Sequence, residues 1–110
     1  MPFNFNELFE TLKEGVISLA KDSFSDFVKE AKSDGKNFLD STKEKLERWT
    51  KLLAAGDITG EDFQFLILSQ KDLAQMTALK EAGVTLIRID QFKSNLINLV
   101  VNTVFTFLKL

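Results

Sequence analysis

The stretch Arg88 to Leu110, RIDQFKSNLINLVVNTVFTFLKL, limits what the whole chain can become. On a helix at roughly 100° per residue, Arg88, Gln91, Asn95, Asn98, Asn102, Thr106 and Lys109 fall on one narrow stripe, and nearly all the remaining surface is apolar. Most of that circumference has to leave water, so the rest of the chain, or a second copy of it, must wrap around this helix. The helix is not a membrane span. Its dense part, Leu96 to Leu110, is interrupted by Asn98, Asn102, Thr103 and Thr106, short of the about 20 apolar residues that cross a bilayer. Extending it back to Ile89 adds Asp90 and Lys93, both costly at membrane depth.

Pro2 is the sole proline, and from Asn6 to Ala55 no residue forbids a helix. Asn6 followed by Glu7 has the form of an N-cap with an acid in the first turn. Apolar residues recur here every eleven positions: Phe5, Val16, Phe27, Phe38 and Trp49 form one line, Phe9, Ala20, Ala31, Thr42 and Leu53 a second, and Ile17, Val28 and Leu39 run beside them. Eleven residues in three turns is close to the relaxed helix, so the apolar face runs nearly straight. Charged residues fill the other face, with Glu44 before Arg48 and Glu47 before Lys51 in the favourable order.

Ser33-Asp34-Gly35 is the weak point of this segment, since a glycine in a helix interior costs about 1 kcal/mol relative to Ala. A turn there would make four helices of an up-and-down bundle. No turn would leave one helix about 75 Å long, whose first apolar residues, Phe5, Phe9, Leu12 and Val16, then need cover from a second chain. The eleven-residue register crosses Gly35 without a change of phase, which favours the continuous helix.

Gly56 to Gly60 is the clearest loop. Thr59 is placed to cap the next helix, with Asp62 completing a capping box, and that helix runs to about Ala82, where Gly83 is placed to close it. A rival reading takes FQFLIL (Phe63 to Leu68) and VTLIRI (Val84 to Ile89) as strands. Two parallel strands do not make a sheet covered on both faces, and Arg88 already belongs to the polar stripe of the last helix. The expectation is therefore all-α, with more than about 70% helix against the usual third.

With 110 residues the chain makes one helical domain, residues 1–110, burying about two-thirds of its unfolded surface. Its aromatic residues are Phe, apart from Trp49, and Phe needs no polar partner in a core. The net charge of −2 with mixed signs gives no basic face for nucleic acid. Cys and His are absent, which excludes thiol redox chemistry, zinc fingers, Ser-His triads and Glu-x-x-His di-iron sites. No cofactor is implied. The opening residues, MPFNFNELFE, lack the basic start and apolar core of a signal peptide, so a cytoplasmic location is expected.

Thr11-Leu12-Lys13-Glu14-Gly15-Val16 resembles the eleven-residue repeat of the synucleins, a resemblance that implies helices on anionic membranes. QKDLAQMTALKEAG and IRIDQFKSNLINLVVNTVF resemble short uncharacterised bacterial helical proteins over about half the chain, and imply no activity. Lys93 projects among Leu86, Ile89, Ile97 and Val100, where a desolvated amine has catalytic use; Asp90 one turn before it, and its own flexible stem, offer a simpler account. Gln91, Asn95, Asn98 and Asn102 bind a polar ligand, register a helix pair through amide hydrogen bonds, or simply face water. Asp57, Glu61 and Asp62 are explained by the positive end of a helix dipole.

Together these readings describe a long amphipathic N-terminal helix, with Gly35 as its candidate point of breakage, packed with an antiparallel C-terminal helical hairpin and completed by oligomerisation. The expected function is that of a non-enzymatic structural or protein-interaction module, a homo-oligomer and first of all a dimer, joined through Leu86, Phe92, Leu96, Ile97, Val100, Val104, Phe105 and Leu108. The alternative is lipid or apolar-ligand binding, or membrane-surface attachment, through the eleven-residue amphipathic face.

Overall fold

The structure, a computed structural model, describes residues 3–110, so Pro2 lies outside the described residues. Helix, the 3-10 turn included, makes up 80% of the described residues, and among them no strand forms. Five helices follow in order: α1 Phe5–Ser23, α2 Val28–Ala54, α3 Gly60–Leu68, α4 Thr77–Glu81 and α5 Leu86–Leu108, with a 3-10 turn at Lys71–Leu73 between α3 and α4. FQFLIL is α3, and VTLIRI contains the capped start of α5.

The N-terminal half is an antiparallel hairpin of two helices, which corrects the expectation of one continuous helix. Asn4, rather than Asn6, caps α1, its side-chain oxygen accepting from the backbone N–H groups of Asn6 at 3.0 Å and Glu7 at 3.3 Å. The chain leaves α1 at Phe24, whose backbone is extended (φ −137°, ψ 106°). Its ring enters the core, almost completely buried, and meets Phe92 edge-on at 5.2 Å. Burial of an aromatic ring of this size is worth more to the fold than the few helical hydrogen bonds lost at the bend. After Ser25 and Asp26 the chain re-enters helix at Val28.

Gly35, where a turn was the other possibility, lies well inside α2 and is buried. The eleven-residue register keeps its phase there because Phe27, Phe38 and Trp49 flank or occupy one helix, and Phe5 and Val16 occupy another. Only the step from Val16 to Phe27 crosses the real break. Both helices turn their apolar lines toward a shared core, where Phe5, Val16 and Phe38 are buried.

The second predicted helix is also divided. α3 starts as expected at the Thr59 capping box, with Asp62 N–H donating to Thr59 Oγ1 and Thr59 N–H donating to Asp62 Oδ2, both at 3.0 Å. It ends at Leu68, and the chain passes through the 3-10 turn and a left-handed Met76 (φ 52°) before α4. Five residues are too few to hold a helix by propensity, so α4 is fixed at both ends. At its start the carboxylate of Asp34, on α2, accepts from the backbone N–H groups of Ala78 (3.0 Å) and Leu79 (2.8 Å). At its end Gly83 is left-handed (φ 87°), with Gly83 N–H donating to the Lys80 carbonyl and Val84 N–H to the Leu79 carbonyl. That is the paired bonding of a Schellman closure.

α5 is capped by Thr85, whose hydroxyl accepts from Arg88 N–H at 3.3 Å. It packs mainly against α1 and α3. The molecule measures 44 × 23 × 20 Å, its long dimension close to the about 40 Å expected of the 27-residue α2. Of the two predicted ion pairs on α2, Glu47–Lys51 closes at 3.2 Å; Glu44–Arg48 does not close among the described residues.

Candidate functional site

The residues expected to bind a second copy divide sharply. Phe92, Leu96, Ile97, Val100 and Val104 are buried within the single chain, Phe105 and Leu108 are half-buried against its core, and Leu86 is exposed. The face of α5 around Phe92, Leu96 and Leu99 is covered from within: Phe24 meets Phe92, Gly35 approaches Leu96, and Gly15 approaches Leu99. α3 covers the other face, where the Phe63 and Phe105 rings lie 6.1 Å apart and Gly60 sits against the Phe105 edge. Breaking the helix near Phe24 folds α1 back onto α5 and supplies the cover that a partner was expected to bring. Val104, with no exposed surface, is a core residue, and Asp there would unfold the chain instead of separating two copies.

The eleven-residue face is likewise turned inward, so attachment to a bilayer through that face would require the hairpin to open. The amide stripe of Gln91, Asn95, Asn98 and Asn102 faces solvent. Lys93 is half-buried, and Asp90 pairs with Lys71 across to the 3-10 turn, Nζ to Oδ1 3.0 Å. Of the three acids near α3, Asp62 is engaged by its capping box; the Thr59 N–H and, secondarily, the Thr59 side chain hold its carboxyl below the usual carboxylate range. Among the described residues no three Asp or Glu side chains gather in a way that could hold a metal ion, and no helix is long and apolar enough to cross a membrane.

Two surface features remain. The first is a set of large apolar side chains left in water: Phe65, Leu68, Leu73, Leu86 and Ile87, each between 54% and 74% exposed. They come from α3, the 3-10 turn and the first turn of α5. The Lys71–Asp90 ion pair ties two of these segments together, holding the turn that carries Leu73 beside the start of α5, and Leu68 precedes Lys71 by three residues. Leu86 alone was legible in this set, from its place on the apolar face of the last helix. Phe65 and Leu68 could have been found from α3's own spacing, since Phe63 and Ile67 are the buried pair and these two project away from it.

The second feature is a depression of about 240 Å³ in the seam between α1 and α2, lined by Lys13, Val16, Ile17, Lys32, Lys36 and Leu39. Its floor is apolar and its rim carries three lysines. In comparisons with known proteins, no family model, no curated protein and no solved structure matches the chain.

Proposed function

We propose that this protein is a non-enzymatic cytoplasmic interaction module, a helical bundle that pairs with a second copy of itself through the flank formed by Phe65, Leu68, Leu73, Leu86 and Ile87. The supporting observation is the exposure of these five side chains on connected segments. Scattered single apolar residues are normal on a surface, whereas large ones concentrated on neighbouring segments mark interaction sites.

A second copy is favoured as the occupant by the charges beside the flank. Lys71, Asp72, Arg88 and Asp90 alternate in sign along the 3-10 turn and the start of α5, and Lys80 and Glu81 on α4 continue the pattern in the chain between them. A two-fold axis brings a surface against itself, and mixed signs can then pair with their opposites, where a single sign would repel. The interface thus keeps Leu86 from the sequence expectation and replaces its buried members with exposed ones from α3 and the 3-10 turn.

Sedimentation equilibrium tests the proposal. The wild-type protein should dimerise at micromolar concentration, and Phe65→Glu with Leu86→Asp should give a monomer of unchanged helicity, because both side chains stand in water. A wild-type protein that stays monomeric up to about 100 μM, far beyond the range of specific interfaces, overturns it.

A further inference from the structure

We infer that the seam between α1 and α2 is a binding site for a slender amphiphilic anion, an alkyl chain ending in a carboxylate. It uses none of the side chains of the proposed self-association flank, and the two readings stand or fall separately.

Val16 and Leu39 close the floor with almost no surface of their own in water, so Ile17, 41% exposed at the mouth, and the lysine stems supply the apolar wall that an occupant would touch. Lys13 and Lys32 are half-buried, their stems lying along the apolar wall, and Lys36 is exposed one turn beyond Lys32. No carboxylate lines the depression. Glu10 pairs with Lys13 at 3.4 Å from outside it, and remains largely exposed. The Lys13 ammonium is thereby engaged away from the depression, 5.2 Å from the centre of the Phe9 ring, which leaves Lys32 and Lys36 as the cations free to meet a head group, a local excess of positive charge in a chain of net charge −2.

Apolar wall and cationic rim set two requirements on an occupant. The apolar wall of Ile17 and the lysine stems removes methylene groups from water, which favours an alkyl tail. The rim offers charge-assisted hydrogen bonds, and lysines can swing to meet one head group because each ammonium is a point charge on a flexible stem. A neutral alcohol satisfies only the wall, and acetate only the rim. Volume sets the length of the tail: 240 Å³ is the liquid volume of about eight waters at about 30 Å³ each, below the about 300 Å³ at which pockets for drug-sized ligands begin. A single chain of about eight carbons fits; a two-tailed lipid does not.

Titration of the full-length protein with octanoate, 1-octanol and acetate, followed by methyl NMR at Val16, Ile17 and Leu39, tests the inference. Octanoate should bind saturably, shift those methyl signals, and bind roughly tenfold tighter than octanol, with acetate weaker than both. Lys32→Gln with Lys36→Gln should bring octanoate down to the octanol affinity while leaving octanol unchanged. Ile17→Ser should weaken both. Equal affinity for octanoate and octanol, shifts confined to other residues, or no effect of the lysine variant overturns the inference. So does binding to phosphatidylglycerol vesicles in the absence of saturable octanoate binding, which would make the lysines a membrane-facing surface. Self-association of each variant, measured alongside, is expected to match that of the wild type.

Discussion

Gly35 of α2 faces Val16 of α1 so closely that a Cβ on residue 35 would stand 2.5 Å from Val16 Cγ1, with Leu96 and Phe92 of α5 each 3.7 Å away. Three helices converge at this point, and the missing side chain is what lets them. Gly35→Ala therefore sets two effects against each other. The helix gains about 1 kcal/mol of propensity, but the methyl group overpacks a site whose neighbour cannot yield, because Val16 is β-branched, stiff at χ1 and almost completely buried. Overpacking of this kind typically costs about 1–3 kcal/mol, and at 2.5 Å the upper part of that range applies. Net destabilisation of about 1–2 kcal/mol is expected. From the sequence, a helix continuous through Gly35 implies the opposite sign. Denaturant melts of Gly35→Ala, of Val16→Ala and of the double variant check it: the double variant should be more stable than the sum of the single losses, since the second truncation makes room for the first methyl.

Asp34, one residue earlier, has a separate task. Its carboxylate caps α4 from 44 residues upstream along the chain, satisfying the N–H groups at the second and third helical positions, Ala78 and Leu79. Hydrogen bonds to a charged group contribute about 1.5–3 kcal/mol, and leaving a buried donor unpaired adds a desolvation cost. Asp34→Ala should destabilise the chain by about 2–4 kcal/mol, with amide hydrogen exchange accelerated first in Thr77–Glu81. Exchange that speeds up uniformly over all helices, with α4 no earlier than the rest, would contradict a local cap.

The contrast between these residues and Thr59 shows what a sequence carries on its face. The Thr59–Asp62 capping box, the closing Gly83 and the polar stripe of α5 are local rules, each settled within a few residues, and each is legible. Ser33-Asp34-Gly35 looks like a helix breaker because its residues are poor helix formers, yet Asp34 serves α4 and Gly35 serves α1. Their purposes lie in segments far away in sequence. The actual corner at Phe24 contains neither glycine nor proline, and is made by a ring whose partner, Phe92, is distant along the chain. Five residues of the predicted interface, Phe92, Leu96, Ile97, Val100 and Val104, are buried within the single chain for a related reason. Apolar spacing shows that Phe92, Leu96 and Val104 need cover, and is silent on whether the cover comes from the same chain.

Thr50 is fully buried on α2, and among the described residues its hydroxyl is the buried side-chain oxygen without a hydrogen-bond partner. Valine has nearly the same shape and the same branching, and removes the polar atom. An unpaired buried polar group costs about 1–3 kcal/mol, so Thr50→Val should stabilise the protein by about 1 kcal/mol, after allowance for imperfect fit. Thr50→Ser, which keeps the hydroxyl and deletes the methyl, should destabilise. Thermal melts at one fixed protein concentration compare the three, since association would otherwise shift the midpoints.

Acid should loosen α3 through Asp62. The Thr59 N–H, followed by the Thr59 side chain, favours the ionised carboxylate and lowers its pKa from the usual 3.8. Because the folded value lies below the unfolded one, folding favours the charged form. The resulting stabilisation is complete above the unfolded value and is lost as pH falls through the folded value. Asp62→Asn keeps an acceptor for the Thr59 N–H but cannot ionise, and so isolates the part that depends on charge. The stability difference between wild type and Asp62→Asn, followed by urea unfolding, should be flat from neutral pH down to about pH 5 and close toward zero as the pH falls below the usual 3.8 and through the lower folded value. Both proteins lose stability in acid from their other carboxylates, and the difference cancels that common loss. A difference that instead widens as the pH drops would mean that the charged carboxylate does not hold the start of α3.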